Sequence, residues 1–182
     1  MNLSVVIPTL EAPAYHGCIK RLWINTPLPF ELVIVCDTPS PAKRAALNEM
    51  AWKPNVKLII NDKRVGVCRA FNQGMKVAQG KFIALVSDDV MVYPHWIEPL
   101  VETLTDHPEW GFAAPIVERE SKDQEWYFAA PGEGNLMTRG LIEKVGYLDD
   151  QCLALQVQGA DGDYYVRMLR AGYRPTGVVE SR

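Results

Sequence analysis

Four short apolar runs punctuate the first half of the chain: Leu3–Ile7, Leu32–Cys36, Val56–Ile60 and Phe82–Val86. Each is rich in Val and Ile and largely apolar at consecutive rather than alternate positions. Such runs suit strands covered on both faces, as in a parallel sheet. Between them lie segments of helical length. Ser40-Pro41 supplies an N-cap and a first-turn proline for a helix over Ala42–Trp52. Val65–Gln79 sets Ala70, Phe71, Gly74, Val77 and Ala78 on one helical stripe, with Gly80 to end it. Ala12–Asn25 is less regular and also reads as helix. Strands alternating with helices predict βαβ units, right-handed crossovers and an α/β fold.

The second half is patterned differently. Trp96–Thr105 predicts a helix, with Pro99 either in its first turn or kinking it. Phe112–Val117 and Glu125–Ala130 are strand-like, Pro131–Gly134 reads as a loop, and Thr138–Val145 as a short helix stopped by Gly146. Gly162–Ala171 predicts a helix with Tyr165, Met168 and Leu169 inward and Gly172 beyond its end, and Thr176–Val179 a last strand. No linker, repeat or low-complexity segment interrupts the pattern.

The polar residues that follow each apolar run change this picture from architecture to chemistry. Pro8, Thr9 and Glu11 follow the first run, Asp37 the second, Asn61 and Asp62 the third, and Ser87, Asp88 and Asp89 the fourth. In an open parallel sheet these strand ends emerge on one edge, where ligands bind. Asp and Asn also favour turns and caps on their own account, so no single position is decisive. All four together point to a ligand crevice. Asp88 and Asp89 are adjacent carboxylates, which repel unless a cation lies between them. A hard divalent ion such as Mg²⁺ or Mn²⁺ takes oxygen ligands and keeps positions open for phosphate, so the pair suits a metal–diphosphate. Asp161 precedes the Gly162 helix and suits either an N-cap or a catalytic base. Lys63 and Arg64 suit a phosphate contact, though a surface charge pair is the commoner outcome.

Composition narrows the classes. The 182 residues, 48% hydrophobic and 23% charged, are those of an ordinary globular domain with a full core. A net charge of −3 disfavours sequence-independent nucleic-acid binding. No apolar run approaches a membrane span, and the N-terminus lacks the pattern of a signal peptide, so a cytoplasmic location is expected. Cys18, Cys36, Cys68 and Cys152 have no metal-like spacing and read as free thiols, and the histidines His16, His95 and His107 are scattered. The five tryptophans read as core or rim. The dinucleotide, P-loop and nucleophile-elbow motifs are missing.

Several segments, taken in order, resemble family 2 glycosyltransferases of GT-A fold. They are Ser4-Val-Val-Ile-Pro-Thr9, Leu32-Val-Ile-Val-Cys-Asp37, Gly66-x5-Asn72-x-Gly74, Gly80–Asp89 and Gly159-Ala-Asp-Gly-Asp163 running into Met168–Tyr173. The resemblance implies a mixed, mainly parallel sheet flanked by helices, and one catalytic domain over residues 1–182, minimal or C-terminally truncated. It implies inverting, metal-dependent transfer from a nucleotide-diphosphate sugar, a UDP-sugar first, to a saccharide, lipid-linked or other hydroxyl acceptor. Pro8, Thr9, Glu11 and Asp37 then match nucleotide-binding positions, as do Lys63, Arg64, Gly66 and Arg69. Ser87-Asp88-Asp89 matches the DxD motif, giving Asp88 a ribose or sugar contact and Asp89 the metal, Mn²⁺ or Mg²⁺. Asp161 matches the general base, with Ala160 where the family has glutamate. The stretch Gly132–Asn135 looks like the part facing donor sugar and acceptor. No histidine follows His107, where many relatives carry a metal ligand. The competing expectations are a non-catalytic nucleotide-sugar-binding domain and a sugar-phosphate nucleotidyltransferase. The latter usually opens with a basic glycine-rich loop, which Pro8–Ala12 lacks.

Overall fold

The four apolar runs become the four parallel strands of a seven-stranded sheet: β1 (Leu3–Thr9), β2 (Phe30–Asp37), β3 (Val56–Asn61) and β4 (Phe82–Val86). The computed structural model describes residues 2–10, 15–115, 133–151 and 160–178. Every residue of β1, β2 and β4 is buried, as their unbroken apolar runs require. Helices α1 (Tyr15–Asn25), α2 (Pro41–Ala51) and α4 (Glu98–Asp106) contribute to the core on one face of the sheet. Helices α3 (Val67–Val77), α5 (Arg139–Val145) and α6 (Ala160–Arg170) contribute to the core on the other. Helix α2 starts as its sequence predicts, with Pro41 in the first turn and the Ser40 side chain accepting from Lys43 N.

Strand order is β3-β2-β1-β4-β6-β5-β7. The chain steps outward from β1 to β2 to β3, then returns through α3 to place β4 on the far side of β1. The winding therefore reverses between β1 and β4, and a crevice opens at their carboxyl ends. Beyond β4, β6 (Glu133–Thr138) runs antiparallel between β4 and β5 (Phe112–Pro115), and β7 (Pro175–Val178) pairs parallel with β5.

Helix α3 lies close on the sheet. A Cβ on Gly74 would stand 2.2 Å from Val6 Cγ1, so only glycine lets the helix approach β1 this closely. Asn72 straps the same helix to a neighbouring segment, donating to Leu148 O at 2.8 Å and accepting from Leu148 N at 3.0 Å.

Several expectations are corrected. Helix α3 spans less than Val65–Gln79, and it ends at Ala78 in an extended cap rather than at Gly80. Val77 is partly exposed instead of inward. Pro99 sits in the first turn of α4, and Trp96 precedes that helix. Glu133 and Gly134 belong to strand β6 rather than to a loop. In α6 Met168 is buried as expected, but Ala160 and Tyr164 complete the stripe in place of Tyr165, which is half-buried, and Leu169, which is 55% exposed. Trp52 is neither core nor rim, at 88% exposed. The expected strand Glu125–Ala130, Cys152 and Trp126 lie outside the described residues.

Candidate active site

The crevice at the switch point, about 190 Å³, is lined by Pro8, Thr9 and Leu10 after β1, Asp37 after β2, Ser87 and Asp88 after β4, and Arg64, Gly66, Val67 and Ala70 at the start of α3. Each residue arrives there because an apolar strand ends in residues that turn the chain. Pro8, Thr9, Asp37, Arg64, Gly66 and Asp88 are thus brought together. Arg64 is exposed and is the only cation among the described lining residues.

Asp37 is buried and fully engaged. Its Oδ2 accepts from the backbone N–H groups of Val65 (2.8 Å) and Gly66 (3.1 Å), and its Oδ1 accepts from Asn61 Nδ2 at 2.9 Å. Asn61 in turn exchanges two hydrogen bonds with Gln73, at 2.8 and 3.1 Å. Gly66 takes φ 89°, a left-handed value suited to glycine, and this turns both N–H groups toward the carboxylate. The carboxylate after β2 therefore shapes the loop that forms the crevice wall.

Thr9 Oγ1 donates to Asp88 Oδ2 at 2.5 Å, joining β1 and β4 across the switch point. Lys43 Nζ donates to Thr9 Oγ1 at 2.9 Å from α2. Below the crevice, Cys18 Sγ donates to Ser87 O at 3.5 Å. Burial, and then the nearby Asp88 and Asp89 carboxylates, push this thiol up to about 12, so it stays neutral and unreactive.

The remaining predicted residues fall elsewhere. Lys63 is exposed and does not line the crevice. Arg69 pairs with Asp150 at 3.2 Å instead of facing the crevice. Asp89 is exposed next to Asp88 and is not a lining residue. Asp161 is not an N-cap: α6 begins at Ala160, so Asp161 sits inside the first turn, half-buried, where the helix dipole favours a carboxylate. Its Oδ1 accepts from Gly162 N at 2.9 Å. It too is absent from the lining among the described residues. Arg167 anchors α6 by pairing with Asp163 at 2.8 Å and donating to Val145 O and Tyr147 O. Glu11 lies outside the described residues. Lys43 and Gln73 were not singled out by sequence reasoning, and Asn61 was read only as one of the polar residues after the third run. A lysine in the first turn of a helix, against the dipole, is the signal that marks Lys43.

The donor set can be tested against a divalent ion. Among the described residues no group of three or more His, Cys, Asp or Glu converges to hold a metal. Asp88 has one oxygen engaged by Thr9, and the exposed Asp89 beside it is the carboxylate available to an ion. Mg²⁺ is usually held by one or two carboxylates and completes its shell with phosphate and water, so the residues fit an ion shared with a diphosphate rather than a preformed cage.

A mainly parallel sheet with its polar crevice at the β1/β4 switch defines an open α/β domain with a ligand site at the carboxyl ends of its strands. The chain belongs to glycosyl transferase family 2, whose model matches residues 4–158. It is 29% identical over 112 residues to the glucosyl-dolichyl phosphate glucuronosyltransferase of Haloferax volcanii, covering 60% of this chain and 36% of that protein. It is 24% identical over 106 residues to the glycosyltransferase GlyG of Streptococcus pneumoniae, covering 57% of this chain and 35% of that protein. The matched region thus spans about a third of these relatives.

Among solved structures, the mannosyltransferase PcManGT of Pyrobaculum calidifontis, in complex with GDP-Man and Mn²⁺, superposes with a TM-score of 0.79 at 21% identity, over 98% of this chain and 55% of that one. S. aureus TarS 1-349 in complex with UDP superposes with a TM-score of 0.73 at 16% identity, over 98% and 58%. At these identities the likeness establishes the fold, which is GT-A. No helix among the described residues is long and apolar enough to cross a membrane.

Proposed function

We propose that this domain transfers a sugar from a nucleoside-diphosphate donor, a UDP-sugar first, to an acceptor hydroxyl with inversion at the anomeric carbon. The observation that carries the reading is the convergence of Thr9, Asp37, Arg64 and Asp88 on one crevice at the β1/β4 switch. Pro8, Thr9, Asp37, Gly66 and Asp88 would bind the nucleoside, and Arg64 would meet phosphate charge. Asp89 would hold Mn²⁺ or Mg²⁺ together with the diphosphate; when bound, the ion stabilises negative charge on the leaving group. Asp161 takes the proton from the acceptor hydroxyl as its oxygen attacks the anomeric carbon. The bond from that carbon to the β-phosphate oxygen breaks, and the nucleoside diphosphate leaves with the electron pair. Membership of the family and the nucleotide and Mn²⁺ complexes of its structural neighbours support this reading.

A second reading is a nucleotide-sugar-binding domain without turnover. It is favoured by Asp161 standing outside the described crevice lining and by Ala160 preceding it. The deciding experiment incubates the protein with Mn²⁺ and a panel of UDP- and GDP-sugars and follows nucleotide release. Consumption of at least one donor supports transfer. UDP binding with no donor consumed selects the binding domain. Asp89→Ala should weaken UDP binding in Mn²⁺ and remove the difference between Mn²⁺ and chelator; binding unchanged in both would move the ion elsewhere.

A further inference from the structure

Lys43 is 7% exposed and lies in the first turn of α2, where the helix dipole opposes a cation. A lysine so buried needs partners for its charge. Its ammonium stands 4.3 Å from the Tyr15 ring centroid and donates to Thr9 Oγ1 at 2.9 Å. An ammonium only donates, so it cannot receive the single hydrogen of the Thr9 hydroxyl. That hydrogen must turn to another acceptor. Asp88 Oδ2 is 2.5 Å away, whereas Leu10 O is 3.4 Å away and too distant to compete. The three groups therefore form a line with one direction: ammonium to hydroxyl to carboxylate. Lys43 does not line the crevice, but Thr9 and Asp88 do.

We propose that Lys43 is a positioning residue for the nucleotide site. Its buried ammonium turns the Thr9 hydroxyl onto Asp88 Oδ2 and leaves Asp88 Oδ1 as the acceptor offered to the ribose hydroxyls of a nucleoside diphosphate. Among the described residues no side chain or backbone group donates to Asp88 Oδ1. The inference rests on the nucleotide-binding reading above for its ligand, and on hydrogen-bond directionality for the line itself.

Two readouts test it. The first needs no nucleotide. Lys43→Met keeps the length of the side chain and its contact with the Tyr15 ring but removes the donor. Lys43→Met and Asp88→Asn, singly and together, are compared by urea denaturation. The double variant should unfold less readily than the product of the single effects, by about fivefold in the unfolding constant. In a Thr9→Val background that coupling should vanish. An additive cycle overturns the line.

The second readout compares UDP with 2′,3′-dideoxy-UDP. The intact protein should favour UDP by about tenfold, the worth of a hydrogen bond to a charged group. Lys43→Gln should bring this ratio toward one, because its amide oxygen can accept the Thr9 hydrogen and release Asp88. Lys43→Met, which leaves that hydrogen no good acceptor but Asp88, should lower the ratio only in part. A merely structural role would weaken both nucleotides equally and leave the ratio unchanged, which overturns the proposal. Failure of the intact protein to bind UDP overturns the nucleotide reading and the ribose role with it; a coupled urea cycle would then still uphold the line from Lys43 to Asp88.

Discussion

Asp37 illustrates how one carboxylate serves both loop and ligand site. Its three donors are two backbone N–H groups and the Asn61 amide, so its charge is needed before any ligand arrives. In Asp37→Asn, an amide oxygen facing Val65 and Gly66 leaves an NH₂ facing the Asn61 NH₂. The expected cost is about 1–3 kcal/mol, measured as a lower urea midpoint, together with weaker UDP binding by titration. Asp161→Asn should behave differently. It keeps the size of the side chain at the first turn of α6, so UDP affinity should stay within about threefold while donor turnover falls by at least about a hundredfold. Equal loss of binding and turnover would remove Asp161 from the base role. Residues such as Thr9, Asp37 and Asp88 were legible because each lies within two positions of the end of an apolar run. Lys43 was not: its first-turn position against the dipole is shared by Arg44, and its burial depends on α1 and β1 closing over it.

At the scale of elements, the packing of α3 on β1 sets how near the loop at Gly66 comes to the crevice. Gly74→Ala should drive a methyl into Val6 and destabilise the fold by about 1–3 kcal/mol in chemical denaturation. Adding Val6→Ala should recover part of that loss, so that the pair costs less than the sum of the single changes. Strands β1 to β4 were readable because burial on both faces demands consecutive apolar residues. Strand β6 was not: Glu133, Gly134 and Asn135 carry no strand signal, and the segment is held by pairing with β4 on one side and β5 on the other. In α6 the apolar residues Tyr164, Tyr165, Val166, Met168 and Leu169 occupy several faces. Periodicity alone could not choose between neighbouring stripes, and packing in the core shared with α5 chose Tyr164 and Met168.

For the whole molecule, a second buried carboxylate lies at the end of the sheet opposite the candidate site. Near the amino ends of β1 and β2, buried Glu31 accepts from Ser4 Oγ at 2.6 Å and Gln79 N at 2.8 Å, and it pairs with Lys57. Burial pushes this carboxyl up, but Lys57, Ser4 and Gln79 together outweigh burial and hold it below its usual range. A carboxyl depressed by folding adds stability that is complete above its unfolded value and is lost as pH falls through the folded one. The excess urea midpoint of the native protein over Glu31→Gln should therefore be present at pH 7 and shrink as pH drops below about 4. A gap that stays constant through acid would show that the charge of Glu31 adds nothing.

The chain's own pattern determined the βαβ succession, the buried parallel strands and the collection of acids at their carboxyl ends. These follow from local rules: consecutive apolar residues are needed for two-sided burial, and turn-forming residues must follow them. Tertiary structure alone decided that the winding reverses between β1 and β4, that Arg69 turns to Asp150, that β6 becomes a strand, and that Lys43 is drawn beneath Thr9. Each of these depends on contacts between residues far apart in the chain, whose partners no local spacing specifies.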